Sequence, residues 1–196
     1  MTATSFPLSR GLAYEGRLPL AWSELASLPS DAELAGLEYA NLEILRAIFT
    51  LESQSSDPSE DSPEIDSQDV ARLDFKLNLL LELVGQLFAR HQMIPEPHSL
   101  TLMPEGLFWQ AAAAPALNSL LRIEVYGSLK YPRPLVLHGQ VIEVNPLIDG
   151  WAIGTAFHGL GELVQENLER FIFIHHRRTI AYNRHRSKEA NKLSSK

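Results

Sequence analysis

The chain has 196 residues, of which 45% are hydrophobic and 21% charged, and its net charge is -7. These values are ordinary for a folded protein that buries a substantial core. Because the sequence contains no cysteine, disulfides, thiolate zinc sites, iron-sulfur clusters and cysteine nucleophiles are excluded.

Charge is unevenly distributed along the chain. Residues 168–196 hold eight Lys or Arg against two Glu, which gives +6 there and leaves -13 elsewhere. The first residues show no signal pattern, and Glu82 interrupts the most apolar run well short of a membrane span. We therefore expect a soluble, cytoplasmic protein without membrane insertion.

The N-terminal third predicts extended chain followed by a helix. Residues 1–29 contain apolar and turn residues typical of short extended pieces, with an edge strand as one option. Ser30 and Glu33 have the spacing of a capping box that opens a helix. This helix runs to about Glu52, and an acidic, proline-containing linker follows over 53–61.

Heptad spacing in this first helix predicts a coiled-coil-like seam. Asn41 lies within that seam, where a polar residue can fix register and oligomeric state, or can simply cap a packed edge. The seam positions of interest are Asn41, Ile44 and Ile48.

A second helix is predicted from Ser62 to Gln92, with a proline at its first turn. Three heptads place Val70, Leu77 and Val84 at position a and Leu73, Leu80 and Leu87 at position d. Further apolar residues at e and g, among them Leu81 and Leu83, widen the seam beyond what one partner covers. An intramolecular hairpin of the two helices and association between chains both remain open.

After Gln92 the apolar period changes from helical to alternating, which indicates a sheet. The predicted strands are residues 98–103, 106–112, 120–126, 135–144 and 151–157. Five short strands at this spacing are typical of a small closed barrel. A helix over about 159–186 follows, and residues 187–196 form a basic tail.

No arrangement of residues indicates catalysis or a cofactor. Phosphate-loop, nucleophile-elbow and zinc-protease motifs are missing from the sequence. His175 and His176 are adjacent, so on a helix they point in different directions and do not suit one metal ion. We expect His175 to be partly packed, His176 to face solvent, and the protein to have neither enzymatic activity nor a metal.

The segment from Ser99 to Arg178 resembles a PilZ domain, a small bacterial barrel family of cyclic di-GMP signalling. Residues 101–107 stand where that family has its (Asp/Asn)-x-Ser-x-x-Gly turn, and residues 150–157 resemble its later strand. With two heptad helices ahead of the barrel, the chain is similar to the atypical, tetramer-forming PilZ subgroup. The expected fold is α+β, a small antiparallel PilZ-like barrel with a C-terminal helix (95–186), to which the extended segment 1–29 contributes, and with a two-helix oligomerisation insert (30–94).

The chain departs from the family pattern at the positions that contact the nucleotide in ligand-binding members. Thr101 replaces the acid or amide of the turn and Met103 replaces its serine, which leaves only Gly106. No Arg-x-x-x-Arg segment precedes the turn, so bidentate recognition of phosphate is lost. We interpret Gly106 as structural, because a tight turn often needs a positive backbone torsion.

Three functional interpretations follow. The first is a homotetramer, or else a dimer, that acts as a regulatory adaptor through unidentified signalling proteins. The second is a direct cyclic di-GMP receptor that uses a relocated anion site at Arg170, Arg177 and Arg178. The third and less favoured is nucleic-acid binding through Arg184 to Lys196, because no aromatic stacking set accompanies these basic residues.

Overall fold

The computed structural model describes residues 12–53, 72–87 except for 74, 82, 85 and 86, and 94–177. Six strands close into an antiparallel barrel in the order β1-β2-β3-β6-β5-β4. They are β1 (Tyr14–Leu25), β2 (Pro97–Met103), β3 (Gly106–Ala111), β4 (Leu120–Val125), β5 (Leu135–Leu147) and β6 (Gly150–His158).

Strand β1 is the sixth strand, which the alternation pattern did not delimit. Its first half pairs with β2 from Tyr14 to Pro19, and its second half pairs with β4 from Leu20 to Leu25. The amide of Tyr126 donates to the Pro19 carbonyl at 3.0 Å, beside the point where β1 changes neighbours. The expected edge strand is therefore corrected, since this strand bridges two neighbours and closes the barrel.

The barrel core is built from alternate residues of each strand. Leu121, Ile123 and Val125 of β4 point inward and are fully buried. Two helices add to the same core, α1 (Asp31–Ser53) and α3 (residues 162–177). A Cβ atom built on Gly127 would lie 3.1 Å from Ile48 and 3.2 Å from Phe171, so both helices meet over the barrel end where β4 finishes.

Helix α1 begins as its sequence predicts. The Glu33 carboxylate accepts hydrogen bonds from the Ser30 amide at 2.9 Å and from the Ser30 hydroxyl at 2.7 Å. These bonds satisfy an otherwise unpaired amide at the helix start and lower the pKa of Glu33. The predicted boundary is confirmed.

The apolar face of α1 packs inside its own chain. Ile44 and Ile48 belong to the barrel core, with exposures of 3% and 0%. The Asn41 amide donates to the Val136 carbonyl at 2.8 Å and accepts from the Val136 amide at 2.9 Å. Assignment of Asn41, Ile44 and Ile48 to an oligomer seam is therefore corrected, because this face of α1 already covers β5.

Helix α2 comprises the described residues among 72–87, all of which are helical. Val70, the remainder of the linker and the basic tail lie outside the described residues, as does the predicted helix beyond Arg177. Within the described parts, no helix is both long and apolar enough to cross a membrane.

Candidate functional site

The turn between β2 and β3 is the position at which the PilZ resemblance places its ligand motif. Met103 and Gly106 are register partners across a two-residue turn formed by Pro104 and Glu105. The Phe157 amide donates to the Glu105 carbonyl at 2.8 Å, which ties the turn to the end of β6. This turn is thus held between two strands.

Leu100 and Leu102 of β2 point into the core. Because side chains alternate along a strand, Thr101 and Met103 lie on the outer face. Met103 is nevertheless 3% exposed, and Phe108, the register partner of Thr101 on β3, is 2% exposed. A thioether is only a weak acceptor and donates no hydrogen bond. Met103 therefore has neither the access nor the chemistry to bind a guanine edge.

Gly106 is structural, but for a different reason from the one predicted. Positive backbone torsions among the described glycines occur at Gly150 and Gly159, not at Gly106. A Cβ atom on Gly106 would instead lie 2.3 Å from the Thr155 carbonyl oxygen of β6. The close approach of two backbones at this point requires glycine, and the predicted torsion is corrected.

An outer groove of about 220 Å³ lies across β1, β2, β3 and β6, and it reaches Thr101 and Phe108, each two residues from the turn pair Met103 and Gly106. Its lining includes Phe108 and four polar residues, Glu15, Ser99, Thr101 and Gln110. The ionisable residue among the described lining is an acid, Glu15, and no lysine or arginine joins it there. Among the described lining residues, a phosphate in this groove would therefore meet a carboxylate and no cation.

Two of the three predicted anion-site arginines are described, and both lie over aromatic rings of the helices. The Arg170 guanidinium is 4.7 Å from the ring centroid of Phe49 on α1, and that of Arg177 is 5.7 Å from Phe173. Arg178 lies outside the described residues. The structure therefore shows stacking, rather than a convergent clamp, for Arg170 and Arg177.

Helix α3 nevertheless reaches the strand beside the turn. The ring of Tyr14, whose register partner is Leu102, is 5.5 Å from the ring of His175 and 6.4 Å from that of Phe171. His175 is half-buried and its Nε2 lies 3.2 Å from the Glu52 carboxylate, whereas His176 is exposed. These are the predicted environments of the two histidines.

Metal-binding side chains do not cluster in the described part of the chain. No group of three His, Asp or Glu side chains is close enough there to hold an ion.

The other predicted site is the heptad seam of α2. Its described seam residues are Leu73, Leu77, Leu80, Val84 and Leu87, and their exposed fractions range from 45% to 61%. This seam is therefore separate from the intramolecular face of α1, and the sequence pattern of the two helices did not distinguish them.

A closed six-stranded barrel, with a tight β2–β3 turn and a helix following the last strand, defines this chain as a PilZ-like barrel. Comparison with family models gives the family. The model described as "Atypical PilZ domain, cyclic di-GMP receptor" matches residues 45–185. The chain belongs to the atypical PilZ domain family.

A solved structure of a PilZ domain also resembles this chain. A pathogenic protein from Xanthomonas campestris, described as a tetrameric PilZ domain self-assembled through an unusual helical bundle, is 26% identical. The match has a TM-score of 0.71 and covers 88% of this chain and 92% of that one. No curated protein matches the chain.

Proposed function

We propose that this chain is a non-enzymatic, oligomeric regulator in cyclic di-GMP-linked signalling, and that it acts through protein partners from the cytoplasm. One observation carries the proposal: eight large apolar side chains of α2 are at least 45% exposed in the single chain. Such a helix requires cover. The eight residues are Leu73, Phe75, Leu77, Leu79, Leu80, Leu83, Val84 and Leu87.

Other copies of the same chain are the proposed cover. The heptad pattern of α2 is self-complementary, and apolar residues beyond positions a and d favour more than one neighbouring helix. The Xanthomonas campestris protein, at 26% identity, is described as a tetramer built by a helical bundle. A homotetramer is the proposed assembly, and a dimer is the alternative because Val at a with Leu at d favours two strands.

The barrel is proposed not to hold cyclic di-GMP in the usual PilZ manner. Met103 is buried where a serine would contact guanine, and Glu15 is the ionisable residue among the described lining of the adjacent groove. Both features oppose a dianionic nucleotide at this face. The protein would then receive and transmit its regulatory signal through contacts with other proteins.

A second candidate is direct nucleotide binding through Arg170, Arg177 and Arg178. Two observations favour it: the matching family is described as a cyclic di-GMP receptor, and Tyr14 contacts α3 while pairing with the strand that enters the turn. An arginine leaving its aromatic stack could then supply the phosphate contact.

Calorimetric titration of the oligomer with cyclic di-GMP separates the two candidates. The first candidate predicts no heat of binding up to high micromolar nucleotide at physiological salt. Saturable binding that is lost in a combined Arg177→Ala and Arg178→Ala variant, but kept in Arg133→Ala, would overturn it in favour of the second. Arg133 is exposed on the loop before β5 and serves as the matched control.

A further inference from the structure

The end of the barrel opposite α1 and α3 carries an exposed apolar patch, which we name the β5 edge patch. Its members come from the loop before β4, from the second half of β5, from the β5–β6 turn and from the start of β6. They are Leu117, Ile142, Leu147, Ile148 and Trp151, with exposures of 57%, 44%, 38%, 101% and 37%. Exposed apolar side chains that lie together mark sites of protein contact.

Along this patch β5 runs beyond its neighbour β4. The register of β4 with β5 ends at Leu120 and Gln140, and two further hydrogen bonds join Val141 to Asn118 at 2.9 Å and to Ser119 at 3.0 Å. A register shift between Val141 and Glu143 follows. From there to Leu147, β5 pairs with β6, and no second neighbour is found among the described strands.

One side of β5 over residues 142–147 is therefore an open strand edge. In an antiparallel pair, half of the backbone N–H and C=O groups point away from the partner strand. Such an edge can pair with another extended segment. Pro146 has no N–H to donate, so pairing at this edge would be concentrated on residues 142–145.

The surroundings of the edge are acidic. The loop before β4 (residues 112–119) and the segment 141–151, which carry the patch, contain two charged residues, Glu143 and Asp149, and both are acidic. A third carboxylate, that of Glu24, accepts a hydrogen bond from the Ala116 amide at 3.4 Å. An apolar edge with acidic neighbours favours an apolar and basic partner over an acidic one.

We propose that the open edge of β5 receives an extended segment of a partner protein, composed of alternating apolar and basic residues, as an added strand. Backbone hydrogen bonds to residues 142–145 would supply pairing, and Leu147 and Ile148 would supply apolar contact. Carboxylates of Glu143 and Asp149 would select the basic partner. This inference rests on the proposed action through protein partners and assigns the surface for it.

The experiment uses the full-length oligomer and a short peptide of alternating valine and lysine. We expect binding to change the tryptophan fluorescence, to which Trp151 contributes, and to slow amide hydrogen exchange over residues 142–145. The variant Ile148→Ser should weaken binding about tenfold, as expected for loss of one apolar anchor. Asp149→Lys should weaken it as well, and Leu129→Ser, an exposed leucine elsewhere, should leave it unchanged.

Each contrary outcome overturns the assignment. Equal binding of a valine-glutamate peptide would exclude charge selection, and binding without amide protection would exclude strand addition. An Ile148-dependent increase in oligomer mass would identify a second copy as the occupant, and stronger binding to phosphatidylglycerol vesicles would identify a membrane surface. The absence of peptide binding would refute the surface while leaving assembly through α2 and the cyclic di-GMP titration unaffected.

Discussion

At the scale of single residues, Gly106 and Gly36 respond to different constraints. Gly106 lies where β3 leaves its turn, and an added Cβ would be 2.3 Å from a backbone oxygen that cannot rotate away. Gly36 lies in α1 with nothing within 4 Å of the corresponding position. The same chemical change should therefore have opposite effects at the two sites.

We expect Gly106→Ala to lower the free energy of unfolding by about 1–3 kcal/mol through overpacking. Gly36→Ala should raise it by about 0.5–1 kcal/mol, because alanine loses less backbone entropy in a helix. Urea unfolding at one fixed protein concentration measures both. An unchanged midpoint for Gly106→Ala would mean that β3 and β6 separate at no cost.

His138 makes stability dependent on pH. It is 4% exposed on β5 between the register neighbours Arg122 and His158, and Glu38 of α1 lines the same small cleft. Burial and then the Arg122 charge lower the pKa of His138. The unfolded chain thus binds more protons between the folded pKa and the ordinary value of about 6.5.

Stability from this group should be complete above the unfolded pKa and should decrease as the pH falls through that range toward the folded pKa. His138→Gln should flatten this part of the pH profile of urea unfolding, and His176→Gln, at an exposed position, should not. If the profile of His138→Gln kept the wild-type slope, another group would be responsible.

At the scale of elements, α1 and α2 show that one periodicity can serve two purposes. Both helices repeat apolar residues at heptad spacing, yet Ile44 and Ile48 are buried in their own barrel whereas Leu77 and Leu80 are exposed. Periodicity reports which face of a helix is apolar. It contains no information about which surface covers that face.

Two hydrogen bonds between Asn41 and Val136 join α1 to β5. Asn41→Ala would leave both backbone groups of Val136 without these partners, at a cost of about 2–4 kcal/mol in the free energy of unfolding. Asn167→Ala is the matched control, because that amide makes an exposed hydrogen bond within its own helix. It should change the free energy of unfolding by less than about 0.5 kcal/mol. Equal effects of the two substitutions would contradict a specific α1–β5 contact.

At the scale of the whole molecule, assembly through α2 makes a direct prediction about mass. Leu80→Asp places a charge in the proposed seam, where burial without a partner is unfavourable. We expect its light-scattering mass to fall toward the 21.9 kDa of one chain. Leu129→Asp, at an equally exposed leucine outside α2, should keep the wild-type mass. An unchanged mass for Leu80→Asp would refute assembly through this seam.

Features that depend on neighbours along the chain are readable from the sequence alone. Alternation located five strands to within a few residues, and the Ser30–Glu33 spacing located the start of α1, because both signals act over a single turn or strand. Substitution of Met103 in the ligand motif was also readable without a structure. These properties follow from side-chain chemistry and local geometry alone.

Features that depend on residues far apart in sequence became visible only in the folded chain. Three such features arise where segments separated by many residues come together. They are the closure of the barrel by β1, the burial of Asn41 against Val136, and the requirement for glycine at 106. The open edge of β5 likewise exists because β4 ends before it. Local sequence patterns do not identify such contacts, because the energy of a contact depends on which residues the fold brings together.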